Sequence, residues 1–343
     1  MHVLLIKLTS LGDVIHALPA LTDAQAAIPN IRFDWAIDES FSAVANWHPA
    51  VDTIIPTAHR RWRQQKWQAL RSGELATLIR NLRQKRYDYV VDGQNRLKSA
   101  VISLFAKGYR CGLDAESAHE YGAHWAYQKK VRVPKARQEN AITRMRLLFA
   151  KIFDYPMPNT AADFAIDINR FIKPQLVLPE HYLFFIPNAS WDNKLWPENY
   201  WNDLLHIAAT AGHTILLPAG NAVEQQRALR LATIHPNIVA LPRMSLAEIA
   251  YVIAKAKAVV GLDTGLSHLA AALRVPSVHL YGPTAAVLTG ADFPEQTYLQ
   301  TNFACSPCYK RVCHYQEKTN EQPACYTTLS PTLVWEKLEL LLT

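Results

Sequence analysis

The chain of 343 residues is half hydrophobic and carries 36 Lys and Arg against 29 Asp and Glu, for a formal charge of +7 and a pI near 9.1. That length exceeds one ordinary core and suits two domains of roughly 150 residues, and the positive balance favours anionic partners, be they nucleic acid, an anionic membrane surface or phosphorylated substrates. With no apolar run of about 18 residues, no basic-apolar-small leader and five cysteines, four of them crowded between Cys305 and Cys325, neither a membrane-spanning chain nor a small disulfide-stapled fold is expected, and a cytoplasmic protein is.

Residues 3–8, within His2-Val-Leu-Leu-Ile-Lys-Leu8, read as a buried strand, and Thr9-Ser10-Leu11-Gly12-Asp13 then turns into an apolar helix opening at Val14-Ile15. Helices are predicted over 17–27, 74–86 and 98–106, and strands over 33–37, 53–55 and 89–91, which is βαβ grammar. Within this half, His59-Arg-Arg-Trp-Arg-Gln-Gln-Lys-Trp67 is a basic run with interleaved tryptophan that follows a short strand. Beyond 168–180 the pattern restarts, with strands at 183–186, 214–217, 239–241, 258–262 and 277–280, and residues 331–342 read as a closing amphipathic helix. The expected architecture is α/β, with Rossmann-like halves at 1–168 and 181–328, a hinge at 169–180 and a last helix in 329–343. Ligands of open α/β sheets bind beyond the carboxyl ends of the strands, so the functional turns of both halves are expected to border one cleft.

Two strand-to-helix turns carry chemistry. Ala258-Val-Val-Gly-Leu-Asp-Thr-Gly-Leu-Ser-His-Leu-Ala-Ala-Ala-Leu273 runs from an apolar strand through Asp263-Thr264-Gly265 into a helix of small residues. Gly265 lets a ligand approach the backbone, and the free N–H groups and dipole of the first helical turn, around Leu266, suit a phosphate. The turn ending at Asp13 offers a carboxylate instead. A diphosphate cradle and a carboxylate base together suit group transfer from a nucleotide donor.

These segments carry a resemblance. Lys7-Leu-Thr-Ser-Leu-Gly-Asp-Val-Ile-His-Ala-Leu-Pro-Ala-Leu-Thr-Asp23, the run His59 to Arg63, Gln94 to Ala100, Lys194-Leu-Trp-Pro197 and Asp263 to Leu273 make the chain similar to the lipopolysaccharide heptosyltransferases, the ADP-heptose transferases of glycosyltransferase family 9, and most to those of type I. The resemblance implies two facing Rossmann-like domains of the GT-B arrangement, with the last helix packing back on the first domain. The segment Cys305-Ser-Pro-Cys-Tyr-Lys-Arg-Val-Cys313 is more similar to type II members.

Each candidate residue also has a plain structural reading. Asp13 is either a first-turn acid stabilising a helix dipole by roughly 0.3–1 kcal/mol or, as the resemblance implies, a general base. Ser10, Gly12, Gln94 and Lys98 fall with it in the acceptor set that the resemblance implies. Lys194 is either a solvated loop cation or a counter-charge for a departing diphosphate, with Ser190 as a phosphate-binding hydroxyl; Ala189 replaces a second hydroxyl found in some relatives. Glu224 is a first-turn helix acid or the partner of a ribose diol, and Met244 a core residue or an adenine contact. His268, one turn after Thr264, reads as support for the phosphate loop or donor sugar. Arg60, Arg61 and Arg63 have the planar forks that bind carboxylate and phosphate, although a basic run with tryptophan also looks like a nucleic-acid patch. Cys305, Cys308, Cys313 and Cys325 are candidate zinc ligands, with reduced thiols as the default.

By resemblance the donor is ADP-L-glycero-β-D-manno-heptose and the acceptor the 5-hydroxyl of a Kdo sugar on lipid A. Asp13 would take the hydroxyl proton, inversion would give an α linkage, and no cofactor is required, Mg2+ being at most stimulatory. Such an enzyme would work as a monomer, peripherally on the cytoplasmic face of the bacterial inner membrane, and would not bind nucleic acid. The alternatives are a type II transferase acting on an already heptosylated core, a sugar-nucleotide epimerase and a nucleic-acid-binding protein.

Overall fold

The computed structural model describes residues 1–65 and 71–343, without the side chains of Arg63 and Gln64. The chain divides into two compact units, Met1–Arg170 and Phe171–Thr343. The first is built on a parallel sheet of β1 (His2–Ile6), β2 (Arg32–Asp38), β3 (Val51–Thr57), β4 (Arg86–Asp92), β5 (Lys107–Leu113) and β6 (Lys129–Val131), in the order β3-β2-β1-β4-β5-β6. The second has β7 (Leu183–Ile186), β8 (Ile215–Leu217), β9 (Ile238–Ala240), β10 (Ala258–Leu262), β11 (Ser277–Tyr281) and β12 (Gln296–Gln300), in the order β12-β11-β10-β7-β8-β9. Renumbered within each unit, both sheets read 3-2-1-4-5-6, the doubly wound Rossmann order. The two expected Rossmann-like halves are both present.

The central strands are continuous apolar runs because helices cover both faces of a parallel sheet. Val3 to Ile6 and Ala258 to Leu262 are fully or almost fully buried. In each sheet the direction of winding reverses beside the first strand, between β1 and β4 and between β7 and β10. The turn bearing Asp13 leaves the end of β1 and the turn bearing Asp263 leaves the end of β10, so each unit carries its candidate residues at the switch point, where ligands of such sheets bind.

Strands β5, β6 and β12 escape the sequence reading. β6 has only three residues, and β5 and β12 lie toward the margins of their sheets with half-exposed positions, so none carries an unbroken apolar run. The helix Ala141–Phe153 carries a sequence signal, since Ile142, Met145, Leu148, Phe149 and Ile152 fall at helical spacing. The last helix packs within its own unit. Pro331–Leu342, capped by Ser330, buries Val334, Trp335 and Leu338 in the core of the second unit and packs on the helix Glu198–Thr210 and on β10 and β11.

Candidate active site

In the first unit the chain leaving β1 is fastened to the end of β4. Lys7 is buried and its Nζ donates to the Gly93 carbonyl at 3.1 Å. Gln94 Oε1 accepts from the backbone N–H of both Leu8 and Thr9, at 3.1 Å each. Asp92 in turn accepts from the amides of Gln94 and Asn95 at 2.8 Å and from the Tyr127 hydroxyl at 2.6 Å. Gln94, expected among the acceptor residues, is therefore largely buried and spends its oxygen on shaping the turn.

The helix after that turn starts at Leu11, three residues earlier than the sequence suggests, with Ser10 as N-cap and Asp13 in the first turn. Ser10 donates to Asp13 Oδ2 twice, from its N–H at 2.9 Å and its hydroxyl at 2.8 Å. The structural role of Asp13 is thus real, and it leaves Oδ1 unengaged by Ser10. Burial alone would raise this carboxyl, but the Lys7 ammonium and the two bonds from Ser10 outweigh it and hold it below its ordinary value. Burial likewise lowers Lys7.

Two more cations, Arg96 and Arg144, and the imidazole of His119 stand within electrostatic reach of this pair. His119 keeps an exposed edge, yet desolvation by the surrounding protein, followed by the charges of Lys7, Arg144 and Arg96, pushes its imidazole down to about 4. Sequence reasoning missed Lys7, His119 and Arg144. The signal for Lys7 was a lone cation at the end of an apolar strand; His119 and Arg144 lie more than a hundred residues from Asp13 and only the fold assembles them.

The Lys7–Asp13 pair fixes a pH dependence. A carboxyl held below its ordinary value is ionised throughout the neutral range, so the wild-type kcat/KM should show no loss of base activity across that range. In Lys7→Met the largest lowering influence is gone, the Asp13 pKa rises, and the acid limb should move to higher pH. A pH–rate profile of the variant superposing on the wild type would disconnect the two residues.

The first six residues of the basic run form the helix His59–Gln64, and its Lys66 and Trp67 lie outside the described residues. Here the structure separates the three arginines. Arg61 is committed, donating from Nε and Nη2 to Glu39 at 3.1 and 3.2 Å and from Nη1 to Glu74 at 2.8 Å. It ties this helix to two others, which gives it a structural role. Arg60 lies with its guanidinium 5.8 Å from the Phe41 ring centre and makes no ion pair among the described residues. The Arg63 side chain lies outside those described. Lys98 is exposed on the helix Leu97–Phe105, and its charge adds to burial in lowering His59. Arg60→Ala is therefore expected to raise the acceptor KM roughly ten-fold with an unchanged Tm, whereas Arg61→Ala should lower the Tm; thermal melts beside acceptor titrations of the two single variants check this.

In the second unit the cradle centres on Asp263. Its carboxylate is buried, with Oδ2 accepting from Lys194 Nζ and Thr284 Oγ1 at 2.6 Å each and Oδ1 3.2 Å from His268 Nε2. Lys194 Nζ also donates to the Asp263 carbonyl at 3.1 Å and sits 4.8 Å from the Trp191 ring centre. Burial would raise the Asp263 carboxyl; the His268 bond and the Lys194 charge override it and hold the group far below the carboxylate range. Lys194 is thus no loose loop cation, and His268 fastens the turn from the next helix.

That helix, Gly265–Ala272, has Thr264 as N-cap without a side-chain cap bond, so its first N–H groups, from Gly265 and Leu266 onward, remain for an anion. Gly261 of β10 allows the close seating, since a Cβ there would collide with Ser267 Oγ. An ammonium has three donors, and Asp263 takes two, leaving one beside this helix start. Ser190 is exposed in the loop after β7 and Met244 is half-buried just before the helix Leu246–Lys255. Glu224 accepts from the Gly220 amide at 2.7 Å and from Asn221 Nδ2 at 2.8 Å, which realises its helix-start reading and leaves one lone pair on each oxygen for a diol. The four C-terminal cysteines are free thiols, and no group of three or more His, Cys, Asp or Glu among the described residues is placed to hold a metal ion.

A model of glycosyltransferase family 9 (heptosyltransferase) matches residues 75–319. The lipopolysaccharide heptosyltransferase 1 of Pseudomonas aeruginosa is 44% identical over 352 aligned residues, covering 100% of this chain and 98% of that protein. Among solved structures, E. coli heptosyltransferase WaaC with ADP superposes with a TM-score of 0.85 at 37% identity, over 99% of this chain and 100% of that one. The E. coli enzyme with ADP-2-deoxy-2-fluoro heptose gives 0.83 at 37% identity, over 99% of each. Its two Rossmann-like sheets, its cradle and this identity along the whole chain agree: the chain belongs to glycosyltransferase family 9, the heptosyltransferases, and is a glycosyltransferase.

Proposed function

We propose that this enzyme moves L-glycero-D-manno-heptose from ADP-heptose to a Kdo residue of Kdo-lipid A, at the cytoplasmic face of the inner membrane. One observation carries the reading: a carboxylate base after β1 and a cationic anion cradle after β10 occur together in a chain 44% identical, end to end, to a lipopolysaccharide heptosyltransferase 1. Asp13 Oδ1 takes the proton of the acceptor hydroxyl as that oxygen bonds to the heptose anomeric carbon. The bond from that carbon to the ADP oxygen breaks on the opposite face, and the configuration inverts. The diphosphate leaves with its new charge, met by the third proton of Lys194 and the first N–H groups of the helix Gly265–Ala272. A low-pKa carboxylate suffices because the attacking hydroxyl becomes strongly acidic only as the new bond forms, so proton transfer comes late. Arg60 and Lys98, with Arg144, meet the acid groups of the acceptor, while Ser190, Glu224 and Met244 line the nucleotide. No step uses a cofactor, and Mg2+ would act as a counter-ion of released ADP.

Mass spectrometry of Kdo-lipid A incubated with enzyme and ADP-heptose decides the matter. A gain of one heptose is expected; transfer only onto an already heptosylated acceptor would make the enzyme type II, and no transfer to either would overturn the reading. ADP, and not duplex DNA, should raise the Tm at moderate salt.

A further inference from the structure

The helix Leu97–Phe105 is apolar on both faces, burying Ala100 and Ile102 in the core and leaving a second apolar stripe outside. An ordinary surface helix buries its apolar stripe and shows its polar one. Here Ser99 and Ser103 face inward, their hydroxyls donating to the Arg96 and Ala100 carbonyls at 2.9 and 2.6 Å, while Leu97, Val101 and Leu104 are 50%, 52% and 54% exposed. Beside them Tyr121 and Trp125 are 78% and 70% exposed, their rings 5.6 Å apart. Gly122, at φ +91°, brings the two surfaces together: a Cβ there would lie 3.4 Å from the Trp125 ring and 3.5 Å from Leu97 Cδ2. The outward side chains thus make one continuous apolar and aromatic surface, of the kind that soluble proteins keep covered.

The charge around it says what covers it. Residues 1–170 hold 24 Lys and Arg against 16 Asp and Glu, and residues 171–343 hold 12 against 13, so the whole positive excess lies in the unit that bears this surface. Arg96, Lys98 and Lys107 border it in sequence and are exposed. The acid beside it, Glu120, is neutralised by Arg96 at 3.1 Å and accepts from the Leu97 amide at 3.0 Å. A second copy of the chain would bring like charge against like charge. Tyrosine and tryptophan with leucine, ringed by cations, match the boundary of an anionic bilayer, where apolar insertion and headgroup attraction act together.

We propose that the outward face of Leu97–Phe105, with Tyr121 and Trp125, is the surface by which the first unit seats on an anionic lipid membrane. The proposal rests on the lipid-borne acceptor of the reading above, and it assigns the contact to particular side chains. Val101, Leu104 and Trp125 enter the headgroup boundary, and the neighbouring cations hold the phosphate plane.

The test is sedimentation of the full, nucleotide-free protein with vesicles of phosphatidylglycerol in phosphatidylcholine, comparing the wild type with Val101→Asn/Leu104→Gln/Trp125→Ser. The partition coefficient of the triple variant should fall at least ten-fold, with heptose transfer to a deacylated, water-soluble Kdo acceptor unchanged. Part of the wild-type binding should survive high salt, which screens the cations and not the apolar contact. Equal binding of the two proteins would overturn the proposal. So would a wild type that transfers heptose to the soluble acceptor but ignores vesicles, or a triple variant that changes oligomeric state, which would make this face a protein interface. A wild type that binds vesicles through this face but transfers no heptose would sink the functional reading and leave the surface standing.

Discussion

Asp13→Asn is expected to lower kcat by at least ~10²-fold while leaving the Kd for ADP within about two-fold. The amide keeps the shape of the side chain and an oxygen that accepts from Ser10, so the helix start survives; what disappears is the proton acceptor. Asp13→Ala removes the acceptor and the bonds from Ser10 together, and should add a helix-start cost of about 1 kcal/mol to the same kinetic loss. Single-turnover rates with saturating donor, beside ADP titrations, separate these effects. An asparagine variant with near-normal turnover would return Asp13 to a purely structural role.

The second large effect belongs to Lys194. In Lys194→Met, ADP affinity should fall at least ~10-fold and turnover further, because the ammonium meets the diphosphate in the bound state and more strongly as charge develops on departure. The same change strips the buried Asp263 carboxylate of its cation, which should cost up to about 3 kcal/mol of stability. Adding Asp263→Asn should restore most of the Tm and none of the ADP affinity. The pH dependence has a definite sign. Asp263 is held far below its unfolded value, so its stabilisation is complete above about pH 4 and is lost as pH falls through the folded value. The Tm deficit of Lys194→Met should therefore be greatest near neutrality and narrow below about pH 4. A full-stability variant with normal ADP binding would place Lys194 outside the cradle.

What the sequence made legible follows from how each feature is encoded. Apolar runs betray buried parallel strands, so β7 and β10 are readable to the residue, whereas β5 and β12 are held by their neighbours in the sheet and carry half-polar sequences. Asp13 and the turn 263–265 are local motifs at strand ends and stand out at once. Lys194 could be suspected, but its commitment to Asp263 spans 69 residues and no spacing rule foretells it. The arginine run shows the opposite error. A dense basic segment reads as one patch, yet the carboxylates that claim Arg61 come from Glu39 and Glu74, one on each side of it in sequence.

The shared strand order of the two sheets also governs when each turn comes into being. During synthesis β1 emerges first, but one flank of it stays open until β4 arrives more than eighty residues later, and β7 waits in the same way for β10. Until those pairings close, Gln94 is not there to fix the chain after β1, and Asp263 has not reached Lys194. The nascent chain therefore carries both motifs in its sequence long before it has either in space, and distant pairings of this kind form slowly because loop closure precedes its reward. Once made, they lie at the middle of each sheet, where backbone amides exchange with solvent last, so the turns bearing Asp13 and Asp263 hang from the strands expected to be the most protected in each unit.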